Sequence, residues 1–229
     1  MPSYSNAQIF VVELIGTFIL VSFATGTIVY DAQTGGNYGL WLAAAGPFVA
    51  LVIGVYSFGR ISLAHFNPAV TVAYYVTGHI TRAQIAWYAA AEMIGALSGS
   101  LFVMGVMGTE ASLGANAPHP DLSPLVTFPV EVLASALLMG VIIYVAYTKG
   151  LWGFGGVAIG GIVALDILLM GAVSGASMNP ARALAPAIVS GEMSDVWLYV
   201  TAPFVGTVAA AVLARSRFAE QRRREGMHK

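Results

Sequence analysis

Two stretches decide how this chain of 229 residues folds: His65-Phe66-Asn67-Pro68-Ala69 and Ser177-Met178-Asn179-Pro180-Ala181-Arg182. Asn is a strong helix N-cap. Pro is favoured at the first helical position, where its missing N–H would lack a partner anyway. Each tripeptide therefore reads as a helix start, followed by a short apolar segment near 68–76 and near 180–189. At 1.5 Å per residue such a segment covers about 15 Å, half of a bilayer's hydrocarbon core. A single Asn-Pro is a common turn starter. Two copies, each opening a short apolar segment, suggest two half-helices that enter from opposite sides and meet tip to tip.

The surrounding composition supplies the membrane. Charged residues make up 9% and the apolar set 58%, with mean hydropathy +0.78. A soluble domain carries about 25% charged residues; this chain lacks the charge for a water-facing surface, and a soluble enzyme is not expected. A spanning helix needs about 20 mostly apolar residues. Six stretches qualify: Gln8 to Tyr30, Leu40 to Phe58, Ala83 to Met107, Leu125 to Tyr147, Phe154 to Val173 and Val196 to Ala214. They are uniformly apolar rather than alternating, which predicts helices and not barrel strands. The first is not a signal peptide, because it lacks a basic start and carries Glu13 within the apolar run.

Charge sorts by parity between the spans. Asp31, Glu110, Asp121, Glu192 and Asp195 mark one set of connections; Arg82, Lys149 and the six basic residues from Arg215 to Lys229 mark the other. The positive-inside rule makes the second set cytoplasmic, with both termini inside a cell membrane, either a plasma or a bacterial or archaeal inner membrane. The basic cluster lies in a terminal tail with little aromatic interleaving, so nucleic-acid binding is not expected. The tail reads as a topology anchor or as a contact for anionic lipid in the bilayer. There is no cysteine, and four scattered His offer no metal-ligand pattern. No cofactor is expected.

The chain repeats itself. Glu13-Leu14-Ile15-Gly16 resembles Glu131-Val132-Leu133-Ala134, and Ile94-Gly95-Ala96 resembles Val205-Gly206-Thr207. The two Asn-Pro-Ala tripeptides fall between these landmarks in the same order. Three spans per half is odd, so the second half sits inverted. The expected organisation is a first repeat over 1–115, a second over 116–214 and a basic cytoplasmic tail over 215–229. The fold class is an all-α membrane protein of six spans and two re-entrant half-helices. The half-helix N-termini, Asn67 and Asn179, would place positive dipole ends and amide donors at the midplane. A neutral solute with lone pairs is held there, while a proton or cation meets a barrier.

These residues together resemble the aquaporin, or major intrinsic protein, family. The resemblance covers nearly the whole chain. It rests on Glu13 with Gly16-Thr17-Phe18, on Ile61-Ser62 with Ala64 to Thr71, on Glu131, and on Ser174 to Arg182. Gly175 to Arg182 looks most like the nodulin-26-like subfamily and its bacterial relatives. The resemblance implies a right-handed bundle and a homotetramer with one pore per protomer. It makes Arg182 the fixed cation of a selectivity constriction. By spacing from the two Asn residues it adds Ile167, Ala176 and Pro47, with Phe48 beside it as the alternative ring. It gives Glu13 and Glu131 the task of holding the re-entrant loops.

Strict water channels have His and a bulky Phe where this chain has Ile167 and Pro47. That difference implies a wider, less polar constriction passing water, glycerol, urea, boric acid or arsenous acid. Against a full glycerol-facilitator reading stands Ala183, where that subfamily has Asp. Glu92 stands where the family usually has Gln, and Asp166 adjoins the constriction, either paired with Arg182 or bonded away from the lumen. A strictly water-selective pore is one alternative. An ion-coupled secondary transporter using Glu13, Glu92, Glu131 and Asp166 is another.

Overall fold

A computed structural model describes residues 4–148 and 150–226, without the side chains of Trp152 and of residues 217–226. Its regular structure is helical throughout the described residues. The long helices are α1 (Asn6–Gln33), α2 (Leu40–Ser62), α4 (Arg82–Met107), α6 (Pro124–Tyr147), α7 (Gly155–Ser174) and α9 (Val196–Gly226). Two short helices, α3 (Pro68–Val76) and α8 (Pro180–Ser190), begin at the two Asn-Pro-Ala tripeptides, and a single turn, α5 (Glu110–Leu113), lies in the central connection. Six of these helices are long and apolar enough to cross a membrane, the last counted as Val196–Ser216. The backbone of the basic tail continues α9 as far as Gly226; its last residues, with Lys149, lie outside the described residues.

Local sequence explains the boundaries. Ser5 and Gln8 form a capping box at the start of α1, and Thr81 and Gln84 form another at α4. Ser123 caps α6 with Pro124 at the first helical position. Asn67 Oδ1 accepts the Ala69 N–H at 2.9 Å, and Asn179 Oδ1 accepts from Ala181 at 3.0 Å and from Arg182 at 3.3 Å. The half-helices of 9 and 11 residues rise about 14 and 16 Å.

Packing repeats between the halves. α1 lies on α4 as α6 lies on α9, and α3 meets α9 as α8 meets α4, while α2 and α7 face each other. Glycines make the closest approaches possible. A Cβ on Gly95 would stand 2.4 Å from the Leu14 carbonyl, and one on Gly206 would stand 2.2 Å from that of Val132. The outward faces carry Phe23, Trp87, Phe102, Leu133 and Leu169 exposed, the surface expected of a lipid-facing bundle.

The central connection contains a left-handed turn. Ala111, Ser112, Leu113 and Gly114 have φ of 49, 51, 56 and 65°. Non-glycine residues in this region cost about 1–2 kcal/mol each. Leu113 offsets part of that by burying completely against Val29 and Val103.

Candidate functional site

The two re-entrant loops are built on the same plan. Glu13 Oε1 accepts from Ser62 Oγ at 2.5 Å and from the His65 N–H at 3.0 Å, and its Oε2 accepts from the Phe66 N–H at 2.7 Å. In the second half Glu131 Oε1 accepts from Ser174 Oγ at 2.7 Å and from the Ser177 N–H at 2.9 Å, and Oε2 from the Met178 N–H at 3.0 Å. Tyr88 donates to the Ser62 carbonyl at 2.7 Å, and Tyr199 to the Ser174 carbonyl at 2.6 Å. Leu63, Ala64 and Phe66 have positive φ, and so do Gly175, Ala176 and Met178 at the matching positions. Backbone in this shape cannot satisfy its own N–H groups, and the bilayer core supplies no water to do so. The two buried carboxylates accept those donors.

The half-helix tips are tied to each other across the centre. Asn67 Nδ2 donates to the Met178 carbonyl and Asn179 Nδ2 to the Phe66 carbonyl, both at 2.8 Å. Each Asn oxygen caps its own helix, and one N–H closes the opposite loop. Since an amide carries two N–H groups, one remains on each Asn. Both residues line the main cavity, which has a volume of about 450 Å³. Pro68, Ala69, Pro180 and Ala181 are buried behind them in the half-helix starts.

Arg182, Ile167, Ala176 and Pro47 lie on the wall of the same cavity. Phe48 does not. It packs on α7, where a Cβ on Gly160 would meet its ring at 3.1 Å. Neighbours on a helix point about 100° apart, so when Pro47 faces the lumen, Phe48 turns to the next helix. Of the two alternatives that the sequence left open, Pro47 is the one on the cavity wall. A second cavity of about 310 Å³, lined by Tyr56, Arg60, Leu63 and Tyr74, shares Ile142 and Ile159 with the first.

Glu92 is fully buried and away from the cavity wall. Its Oε1 accepts from Thr71 Oγ1 at 2.7 Å and from the Asn67 N–H at 3.2 Å. His65 joins this group by a 2.8 Å contact between Nδ1 and Thr71 Oγ1, with its ring stacked between Tyr74 and Tyr88. Asp166 is buried with Oδ2 unpartnered and is not on the cavity wall. It does not pair with Arg182: no carboxylate lies within 4.0 Å of an Arg or Lys nitrogen among the described residues.

Sequence reasoning assigned no role to several residues here, although Ser62 and Ser174 stand within the motifs that carry the resemblance. Ser62 with Ser174 and Tyr88 with Tyr199 were findable from the repeat, since they recur at its spacing. Asn116 was not: it lies in a connection read only for its acidic charge. Its Nδ2 donates to the Gly175 carbonyl at 3.0 Å, and its Oδ1 accepts from Arg182 Nη1.

A bundle of six apolar helices around a lumen that two half-helices divide at mid-depth is the architecture of a membrane channel. The family model described as "Major intrinsic protein" matches residues 1–214, and the chain belongs to that family. It is 36% identical over 211 residues to "Probable aquaporin NIP7-1" of Arabidopsis thaliana, covering 91% of this chain and 76% of that protein. It is 37% identical over 207 residues to "Aquaporin NIP1-1" of Zea mays, covering 89% and 72%. The crystal structure of the aquaglyceroporin from Plasmodium falciparum superposes with a TM-score of 0.83 at 22% identity, over 92% of this chain and 96% of that one. That last likeness concerns the fold.

Proposed function

We propose that the protein is a passive channel for water and small uncharged solutes such as glycerol, urea, boric acid or arsenous acid, and that it excludes protons and ions. The observation that carries this reading is the composition of one cavity wall. Arg182 and the two Asn amides provide polar contacts there, and Ile167, Ala176 and Pro47 provide an apolar face. A polyol needs both: hydroxyls against donors, carbon against hydrocarbon. Cations meet Arg182 and the positive ends of α3 and α8. Glu13 and Glu131 are occupied by loop donors, which favours a scaffold role over proton transport.

The selectivity set is accordingly Arg182, Ile167, Ala176 and Pro47. The chain is read as inverted repeats over 1–115 and 116–214, followed by the tail from 215. Both termini face the cytoplasm, and four copies assemble with a pore in each. Two relatives of 36–37% identity carry the name aquaporin, which supports the water pathway. The deciding experiment is stopped-flow swelling of proteoliposomes with water, glycerol, urea and boric acid in parallel. Flux of water and at least one of the larger solutes, independent of proton or sodium gradients, is expected. Water flux alone overturns the wide-pore reading, and gradient-driven flux overturns the passive one.

A further inference from the structure

We propose that Asn116 is an additional constriction residue: it holds the Arg182 guanidinium against the wall and so sets the width that solutes meet. The proposal rests on the channel reading above. Asn116 is 9% exposed, lines the main cavity and belongs to neither re-entrant loop. It reaches the site from the central connection, just beyond the left-handed turn that Leu113 anchors between α1 and α4. Three successive non-glycine residues in a disfavoured conformation define the chain's path closely, which delivers one side chain to one place.

The amide then bridges two walls. Its Nδ2 holds the Gly175 carbonyl, where the second re-entrant loop begins, and its Oδ1 receives Arg182 Nη1. Gly175 makes room for this. Its φ is 81°, and a Cβ there would stand 2.9 Å from Asn116 Nδ2. No carboxylate lies within 4.0 Å of the guanidinium among the described residues. The anchor of Arg182 is thus a neutral amide, which orients the cation and leaves its charge intact. Without that acceptor the freed N–H turns to lumen water, and the flexible stem lets the group swing into the passage. A narrower passage hinders glycerol more than water.

The test compares the wild type with Asn116→Leu and Asn116→Asp, reconstituted at equal protein content and assayed for water and glycerol. Leu matches the amide in size and removes the acceptor. Asp restores the acceptor and makes it anionic, so that both partners are charged and the bond is stronger than the Gly175 contact it gives up. N116L is expected to lower the glycerol-to-water permeability ratio about tenfold or more, the scale of losing one hydrogen bond to a charged group. N116D is expected to return the ratio close to the wild-type value. If the wild type passes water and no larger solute, the wide-pore reading fails on the wild type alone. The water permeability then decides: it is lower in N116L and restored in N116D. Identical behaviour of all three proteins overturns the proposal. So does an equal loss in both variants, which assigns Asn116 to packing, or a ratio raised by N116L.

Discussion

Arg182 and Ile167 share the cavity wall with opposite chemistry. Removing the guanidinium by Arg182→Ala takes away a fixed positive charge where low dielectric makes it count most. Sodium or proton leak through proteoliposomes should rise by about tenfold or more, the equivalent of about 1.4 kcal/mol of barrier, while water flux persists. Ile167→His adds a donor and a more polar wall. It should lower glycerol flux relative to water several-fold, read in the same swelling assay. Asp166→Asn tests placement. Because Asp166 is off the cavity wall, the pH dependence of water flux should be unchanged by the substitution; an altered profile would place the carboxylate in the lumen. Residue identity alone could not separate Pro47 from Phe48, or Asp166 in the lumen from Asp166 behind it. A helix buried on several sides has no single polar face from which to read its rotation.

The spans and half-helices were legible because a bilayer constrains element length and because Asn-Pro signals a start. The central connection was not legible. A left-handed run over Ala111, Ser112 and Leu113 contradicts local preference and exists because tertiary burial of Leu113 favours it. The role of Asn116 depends on that path. For the re-entrant loops, Glu131→Gln keeps one acceptor oxygen but points an NH2 at a loop donor. This should destabilise the protein by about 2 kcal/mol, the range for a buried hydrogen bond replaced by an unpaired donor. Thermal unfolding in detergent measures it, and Glu13→Gln should match it, since the two carboxylates bind alike. Gly16→Ala would place a Cβ 2.0 Å from the Phe66 ring. The ring must shift, and with it both the Phe66 N–H held by Glu13 and the carbonyl that receives Asn179. A marked loss of folded yield and of flux is expected. At the other end of α3, Arg215 donates to the Val76 carbonyl at 3.1 Å and caps the half-helix.

At the scale of the whole molecule, the absence of cysteine makes two measurements clean. Thiol-directed mercurials should leave water flux unchanged, and rapid block reversed by a reductant would contradict this. Single cysteines introduced at Asn37 and at Thr81 should label from opposite sides of sealed cells, Asn37 from outside, if the basic connections are cytoplasmic.

The paired bonds from Asn67 to the Met178 carbonyl and from Asn179 to the Phe66 carbonyl also bear on biogenesis. Translation delivers Asn67 and Phe66 more than a hundred residues before their partners exist. Until the second half emerges, an amide donor and a carbonyl at membrane depth lack their final partners, so α3 cannot settle when its flanking spans do. Completion of the pore must therefore wait until the second re-entrant loop has been made. A chain truncated before Met178 would leave the ribosome with correctly inserted spans and no working lumen.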